Sequence, residues 1–173
     1  VRLHLIRHPR PQVAAGICYG RTDLELAEDV AVVAEVLRPQ LPAGLPLFSS
    51  PLRRCRQLAA ALHPAPVFDV RLLEMDFGAW EMQPWQALER AALNAWAAQP
   101  LDFAPPGGES PAQLLQRVRE FHAGLESDAI VVTHAGVIKA LSGLLHGLPP
   151  AEWMGLSFPF GSVTVLHSSS GTR

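Results

Sequence analysis

Two histidines in this chain each close a short apolar run: His8 in His4-Leu5-Ile6-Arg7-His8-Pro9, and His134 in Ala129-Ile130-Val131-Val132-Thr133-His134. A neutral imidazole can serve as nucleophile, base or metal ligand. Arg7, beside the first histidine, offers planar and permanently charged donors for phosphate. Three more arginines gather at Arg53, Arg54 and Arg56, and three carboxylates, Glu74, Asp76 and Glu81, lie in the apolar and aromatic stretch from Arg71 to Glu81. Desolvation disfavours the charged form of a carboxyl group, so an acid partly buried among Leu73, Met75 and Phe77 suits a general acid. Taken singly, each group has a plainer reading: polar residues at a strand end, solvated arginines, an acidic loop.

The chemistry is shared only if the elements bring these groups together. Ligands of α/β proteins sit beyond the carboxyl ends of parallel strands, which is where Arg7, His8 and His134 would stand. Pro9 to Asp23 reads as an ordered loop, with prolines and glycines and no period. Leu26, Val30, Val33 and Leu37 then mark the inward stripe of a helix that stops before Pro39. A brief strand is expected at Leu45 to Phe48, followed by a helix capped by Ser49 or Ser50 with Pro51 at its first position.

In that helix Leu52, Cys55, Leu58 and Leu62 set the buried stripe and place Arg54 on its inward side, whereas Arg53 and Arg56 fall on polar faces. Cations in a first turn oppose the helix dipole, a cost that a bound anion would offset. Further on, Pro66 to Val70 reads as a short strand, and Trp85, Leu88, Ala92 and Trp96 suggest a helix whose aromatics serve the core. Ser110, Pro111 and Gln113 form a capping-box signature for a helix running to Leu125. The helix after His134 carries Val137, Ile138, Leu141 and Leu144, and its N-terminus would favour an anion. The last strand is Val163 to Leu166, and Ser168 to Arg173 reads as a tail.

A chain of 173 residues is enough for one domain with a substantial core. Nearly half of it is hydrophobic and the formal net charge is -2, which argues against a nucleic-acid footprint and for a small-molecule partner. Cys18 and Cys55 are too far apart for a CxxC pair, and no apolar run reaches membrane-spanning length. Free thiols and the cytoplasm are the expectation.

Leu5-Ile6-Arg7-His8, Ser50-Pro51-Leu52-Arg53-Arg54-Cys55, Leu73-Glu74-Met75-Asp76-Phe77-Gly78 and Val132-Thr133-His134-Ala135-Gly136 resemble, in order, the motifs of the histidine phosphatase superfamily. Its members include cofactor-independent small-molecule phosphatases and phosphoglycerate mutases. Cys18-Tyr19-Gly20-Arg21-Thr22-Asp23-Leu24-Glu25-Leu26 is similar to the CYGxxDxxL segment of its α-ribazole phosphatase branch, which serves cobalamin synthesis. The resemblance covers nearly the whole chain, including Gly107-Gly108-Glu109-Ser110 and Gly161-Ser162-Val163-Thr164.

The resemblance implies one α/β domain over residues 1–173, a three-layer α/β/α fold around a mostly parallel sheet. It implies His8 as a nucleophile that forms a phosphohistidine. Arg7, Arg54 and His134 would line the phosphate pocket as its cationic field, and Glu74 would act as general acid and then base, with Asp76 and Glu81 in reserve. Neither metal nor cofactor is implied, and the partner is a small-molecule phosphate ester, bound by a monomer or homodimer. The remaining histidines have no motif partner. Pro9 departs from the small residue with a free N–H that most of the family has after the nucleophile, and the asparagine common a few residues later is absent. Thr22 or backbone N–H groups of the loop are the expected substitutes, and Arg21 is expected to touch substrate with Thr22. Tyr19, Trp80 and Trp153 are the side chains that would stack on a benzimidazole nucleoside. The alternatives are mutase-type phosphoryl transfer and a phosphate-binding module without turnover.

Overall fold

The computed structural model describes residues 1–168, so the expected tail lies outside the described residues except for Ser168. Strand β1 (Arg2–Arg7) is followed by helix α1 (Val30–Leu37), β2 (Leu47–Ser49), α2 (Arg53–Leu62), β3 (Val67–Phe68) and α3 (Arg90–Ala98). The chain continues through α4 (Pro111–Ala123), β4 (Ala129–Thr133), α5 (Ala135–His146), α6 (Pro150–Met154) and β5 (Val163–His167). The five strands form one sheet in the order β3-β2-β4-β1-β5. All neighbours pair in parallel except β5, which runs antiparallel to β1.

The central strands are buried on both faces, and their two-residue period divides the core. Leu3 and Leu5 of β1 and Ala129 and Val131 of β4 pack with Leu114, Val118 and Phe121 of α4 and Val137, Ile138 and Leu141 of α5. Ile6, Ile130 and Val132 turn the other way, against Ala34 and Leu37 of α1 and Cys55, Leu58 and Ala59 of α2. These two helix layers on one sheet make the three-layer α/β/α domain. Fully burying one such aliphatic side chain contributes about 1.5–3 kcal/mol, so this alternation fixes strand register strongly. No helix among the described residues is long and apolar enough to cross a membrane.

Local chemistry explains most element ends. Ser110 and Gln113 form the capping box at the start of α4. Gly147, in the left-handed conformation with φ 63°, ends α5. Three expectations change.

Leu26 lies outside α1, because it bridges Pro11 across the loop and Asp29 caps the helix instead. Helix α2 begins at Arg53 with Leu52 at its cap, not a serine. The reason is that Ser50 still belongs to the sheet edge, its N–H donating to Val132 O at 3.0 Å, while Asp23 reaches over from the loop to accept from Arg53 N at 2.8 Å. The chain therefore supplies its own anion at this helix start. Trp85 lies in a separate single turn before α3, since backbone pairing of Ile17 with Pro84 and of Trp85 with Gly16 holds that segment extended.

Candidate active site

Register makes the site. Arg7 pairs with Thr133, so His8 and His134 follow the ends of adjacent parallel strands. The imidazole rings lie 5.2 Å apart, edge to face. His8 is buried, and its Nδ1 stands 2.7 Å from the carbonyl oxygen of Pro9. A carbonyl can only accept, so Nδ1 carries the proton and Nε2 presents a lone pair. Pro9 thus acts through its carbonyl, a role its missing N–H does not affect. Burial, then the Arg54 charge, and to a smaller extent Arg7, push the His8 pKa down to about 3.

His134 is fully buried, with Nε2 2.8 Å from Ser50 Oγ and 3.5 Å from Cys55 Sγ. Burial first, then His8 and Arg54, hold its pKa well below the usual histidine range. This corrects one expectation: in the free protein His134 is neutral, because two buried imidazoles and nearby guanidinium groups oppose a further positive charge. The cationic field comes from the arginines.

Arg7 donates from Nη1 to Phe158 O at 2.6 Å and lies 3.9 Å over the Phe160 ring. Arg54, with no solvent exposure, donates from Nη1 to Thr22 O at 2.6 Å and from Nη2 to Gly20 O. Each guanidinium keeps its Nε buried and without a partner. A buried donor left unpaired costs about 1–3 kcal/mol, so two of them beside His8 mark a place for acceptor oxygens.

Glu74 stands on the wall of a cavity of about 390 Å³ that also exposes Arg7, His8 and Tyr19. Its carboxylate accepts from Gly136 N at 3.0 Å and Met75 N at 2.9 Å, so its setting is polar and only part-buried. The close approach requires glycine, since a Cβ at position 136 would fall 2.1 Å from Glu74 Oε1. Thus the N-terminus of α5, expected to favour a ligand anion, already holds the carboxylate of Glu74. Arg21 Nε and Arg117 Nη2 both donate to the Glu74 carbonyl at 3.1 Å, and Arg117 is paired with Glu109 at 2.6 Å.

The fully buried Arg54 and His134 do not line the cavity, and of the other residues expected to touch substrate neither do Arg21 and Thr22. Their donors are taken by the protein: Thr22 N and Oγ1 both donate to Glu81 Oε1, at 2.8 and 2.7 Å. Glu81 also accepts from Gly20 N and Phe77 N, joining the loop that holds Arg54 to the loop that holds Glu74. Asp76 accepts from Gly78 N and has no place in the cavity wall. The reserve carboxylates are therefore braces.

Among the aromatics, Tyr19 and Trp153 do face the cavity, while Trp80 packs behind Trp85, Trp96 and Phe103. Phe77, Trp85 and Trp96 form the apolar wall, against the expectation that Trp85 and Trp96 belong to the core. Sequence reasoning missed Lys139, which also lines the cavity. Its signal was its position one helical turn beyond Gly136. The described residues contain no cluster of His, Cys, Asp or Glu suited to a metal ion.

The chain matches the family model of the histidine phosphatase superfamily (branch 1) over residues 3–173. It is 33% identical to a glucosyl-3-phosphoglycerate phosphatase of Mycolicibacterium vanbaalenii, with 88% of this chain and 77% of the relative covered. A phosphoglycerate mutase structure from Thermus thermophilus superposes with a TM-score of 0.79 at 32% identity, covering 96% of this chain and 92% of the other. The mycobacterial glucosyl-3-phosphoglycerate phosphatase Rv2419c superposes with a TM-score of 0.80 at 30% identity, covering 95% and 88%. The phosphatases among these relatives are not of the α-ribazole branch, so the CYG loop alone carries that narrower resemblance. Fold, motif order and relatives agree: the chain is a phosphatase enzyme and belongs to the histidine phosphatase superfamily.

Proposed function

We propose that this enzyme is a metal-independent phosphomonoesterase that hydrolyses a small phosphorylated metabolite through a phosphohistidine on His8. The observation that carries this reading is the pair of unpartnered, buried Nε donors of Arg7 and Arg54 flanking a neutral imidazole whose free nitrogen is Nε2. In the first step Nε2 attacks phosphorus, the P–O ester bond breaks, and Glu74 gives its proton to the leaving oxygen. In the second, water attacks phosphorus, its proton passes to Glu74, the P–N bond breaks and phosphate leaves. Arg7 and Arg54 neutralise the non-bridging oxygens, the role in which fixed cations contribute most.

Two substrate classes are proposed, each on a different observation. The aromatic wall of Phe77, Trp85 and Trp96 suits the flat base of α-ribazole phosphate, the substrate implied by the CYG loop. The phosphatase relatives act, by their names, on a glucosylated phosphoglycerate, which places a carboxylate near the phosphate.

The test is hydrolysis of p-nitrophenyl phosphate by the wild-type enzyme and by His8→Ala. Wild type should turn over with or without EDTA and yield an acid-labile phosphoenzyme on rapid quenching. His8→Ala should remain folded and inactive. Loss of wild-type activity in EDTA, or full activity in His8→Ala, would overturn the proposal.

A further inference from the structure

The two ring nitrogens of His134 are unequally served. Nε2 lies 2.8 Å from Ser50 Oγ and 3.5 Å from Cys55 Sγ. Nδ1 has no oxygen or nitrogen partner among the described residues, and its one polar contact is the same sulfur at 4.0 Å. The sheet brings the serine there: Ser49 pairs with Val132, and Ser50 N donates to Val132 O at 3.0 Å, two residues before His134. Ser50, Cys55 and His134 have no solvent exposure, so bulk water does not compete for their hydrogen bonds.

Hydrogen-bond accounting then locates the proton of the neutral imidazole. Burial pushes the Cys55 thiol up, so it stays an S–H donor, and Ser50 is its hydrogen-bond partner. Leu52 N also donates to Ser50 Oγ, at 3.4 Å. A hydroxyl has two acceptor lone pairs and a single proton. With both lone pairs engaged by Cys55 and Leu52, the Ser50 O–H is left to donate, and Nε2 is the acceptor it meets. The opposite tautomer would aim a third donor, Nε2–H, at the same oxygen and leave the Ser50 proton only a weakly accepting sulfur. Nε2 therefore accepts, and Nδ1 carries the proton.

Three buried nitrogens near His8 are thus short of an acceptor: Nε of Arg7, Nε of Arg54 and Nδ1 of His134. The His134 ring stands 5.2 Å from the His8 ring. A buried N–H without an acceptor is costly, and a phosphoryl group transferring to His8 carries the non-bridging oxygens that would take it. A lone pair at Nδ1 would repel those oxygens instead.

We infer that Ser50 is a positioning residue: its hydroxyl donates to Nε2 of His134 and so fixes the tautomer whose Nδ1–H is offered to the phosphoryl group beside His8. The inference deepens the phosphomonoesterase reading and rests on it for its kinetic readout.

The first measurement needs neither a variant nor turnover. With isotope-labelled histidine, long-range proton–nitrogen correlation NMR should show His134 protonated at Nδ1 and unprotonated at Nε2. Inorganic phosphate should shift the Nδ1 proton without changing the tautomer. A His134 protonated at Nε2 would overturn the inference, as would an Nδ1 resonance that saturating phosphate leaves in place. A protein that showed this tautomer and the phosphate shift but hydrolysed no ester would support the Ser50 assignment and remove the hydrolytic reading alone.

A double-mutant cycle on p-nitrophenyl phosphate hydrolysis is the second measurement. Ser50→Ala should lower kcat/KM about tenfold in the wild-type background and less than about twofold in His134→Ala, because a residue that acts through His134 then has nothing left to position. Equal losses in the two backgrounds would assign Ser50 to packing at the sheet edge and overturn the inference.

Discussion

Replacing His8 by Asn should flatten the acid dependence of stability, because the amide can still donate to Pro9 O but cannot titrate. In the folded protein the His8 pKa is pushed down to about 3, chiefly by burial and by Arg54. In the unfolded chain a histidine titrates near 6.5. Between these values the unfolded chain binds one more proton than the folded one, so stability is lost as pH falls through about 6.5 and continues to fall toward 3. The slope approaches 1.4 kcal/mol per pH unit, and integration from pH 6 to 4.5 gives about 2 kcal/mol for this one residue. His4 and His122 are also held below the usual value and add equally to both proteins, whereas His134 is held down by burial and in part by His8, so part of its contribution also leaves with His8. Urea denaturation at half-unit pH steps measures that difference. Equal acid dependence in wild type and His8→Asn would refute the reasoning, and so would a His8 ring resonance titrating near pH 6 by NMR.

Two further substitutions separate bracing from chemistry. Gly136→Ala places a methyl group within 2.1 Å of Glu74 Oε1, so kcat should fall on the order of 100-fold while helix stability is kept or raised by about 0.5–1 kcal/mol. Steady-state kinetics and thermal melting check this, and unchanged kcat would exclude Glu74 as the proton donor. Glu81→Ala removes the acceptor for Gly20, Thr22 and Phe77 and should cost about 2 kcal/mol in denaturant midpoints together with a lower kcat/KM, because Gly20 and Thr22 hold Arg54. Glu81→Gln retains Oε1 and should lose less on both measures; the reverse order would exclude a brace.

The legibility of the site followed the range of the interactions involved. Arg54 was readable because its inward position depends only on the period of α2, and the Ser110 capping box because its partners are three residues apart. Ser50 was misread as a cap because its N–H is claimed by Val132 and its hydroxyl faces His134, both distant in sequence. Thr22 was misread for the same kind of reason, since Glu81 occupies both of its donors. Trp85 and Trp96 have the composition of core residues, and only the backbone pairing of residues 16 and 17 with 84 and 85 brings Trp85 to a cavity wall.

By itself the sequence determined which groups are available: two histidines at strand ends, one inward arginine, a carboxylate in an apolar and aromatic stretch, and the succession of strands and helices that carries them. These follow from periods of two and 3.6 residues and from local steric rules, which act within a few residues. Tertiary structure decided protonation and partnership. His134 is held neutral first by burial and then by His8 and the nearby guanidinium groups, Pro9 matters through its carbonyl, and the single lysine becomes a cavity cation because α5 starts where β4 ends. Electrostatic fields and unpaired donors depend on distances between segments, and those distances exist only once β1 and β4 are neighbours in the sheet.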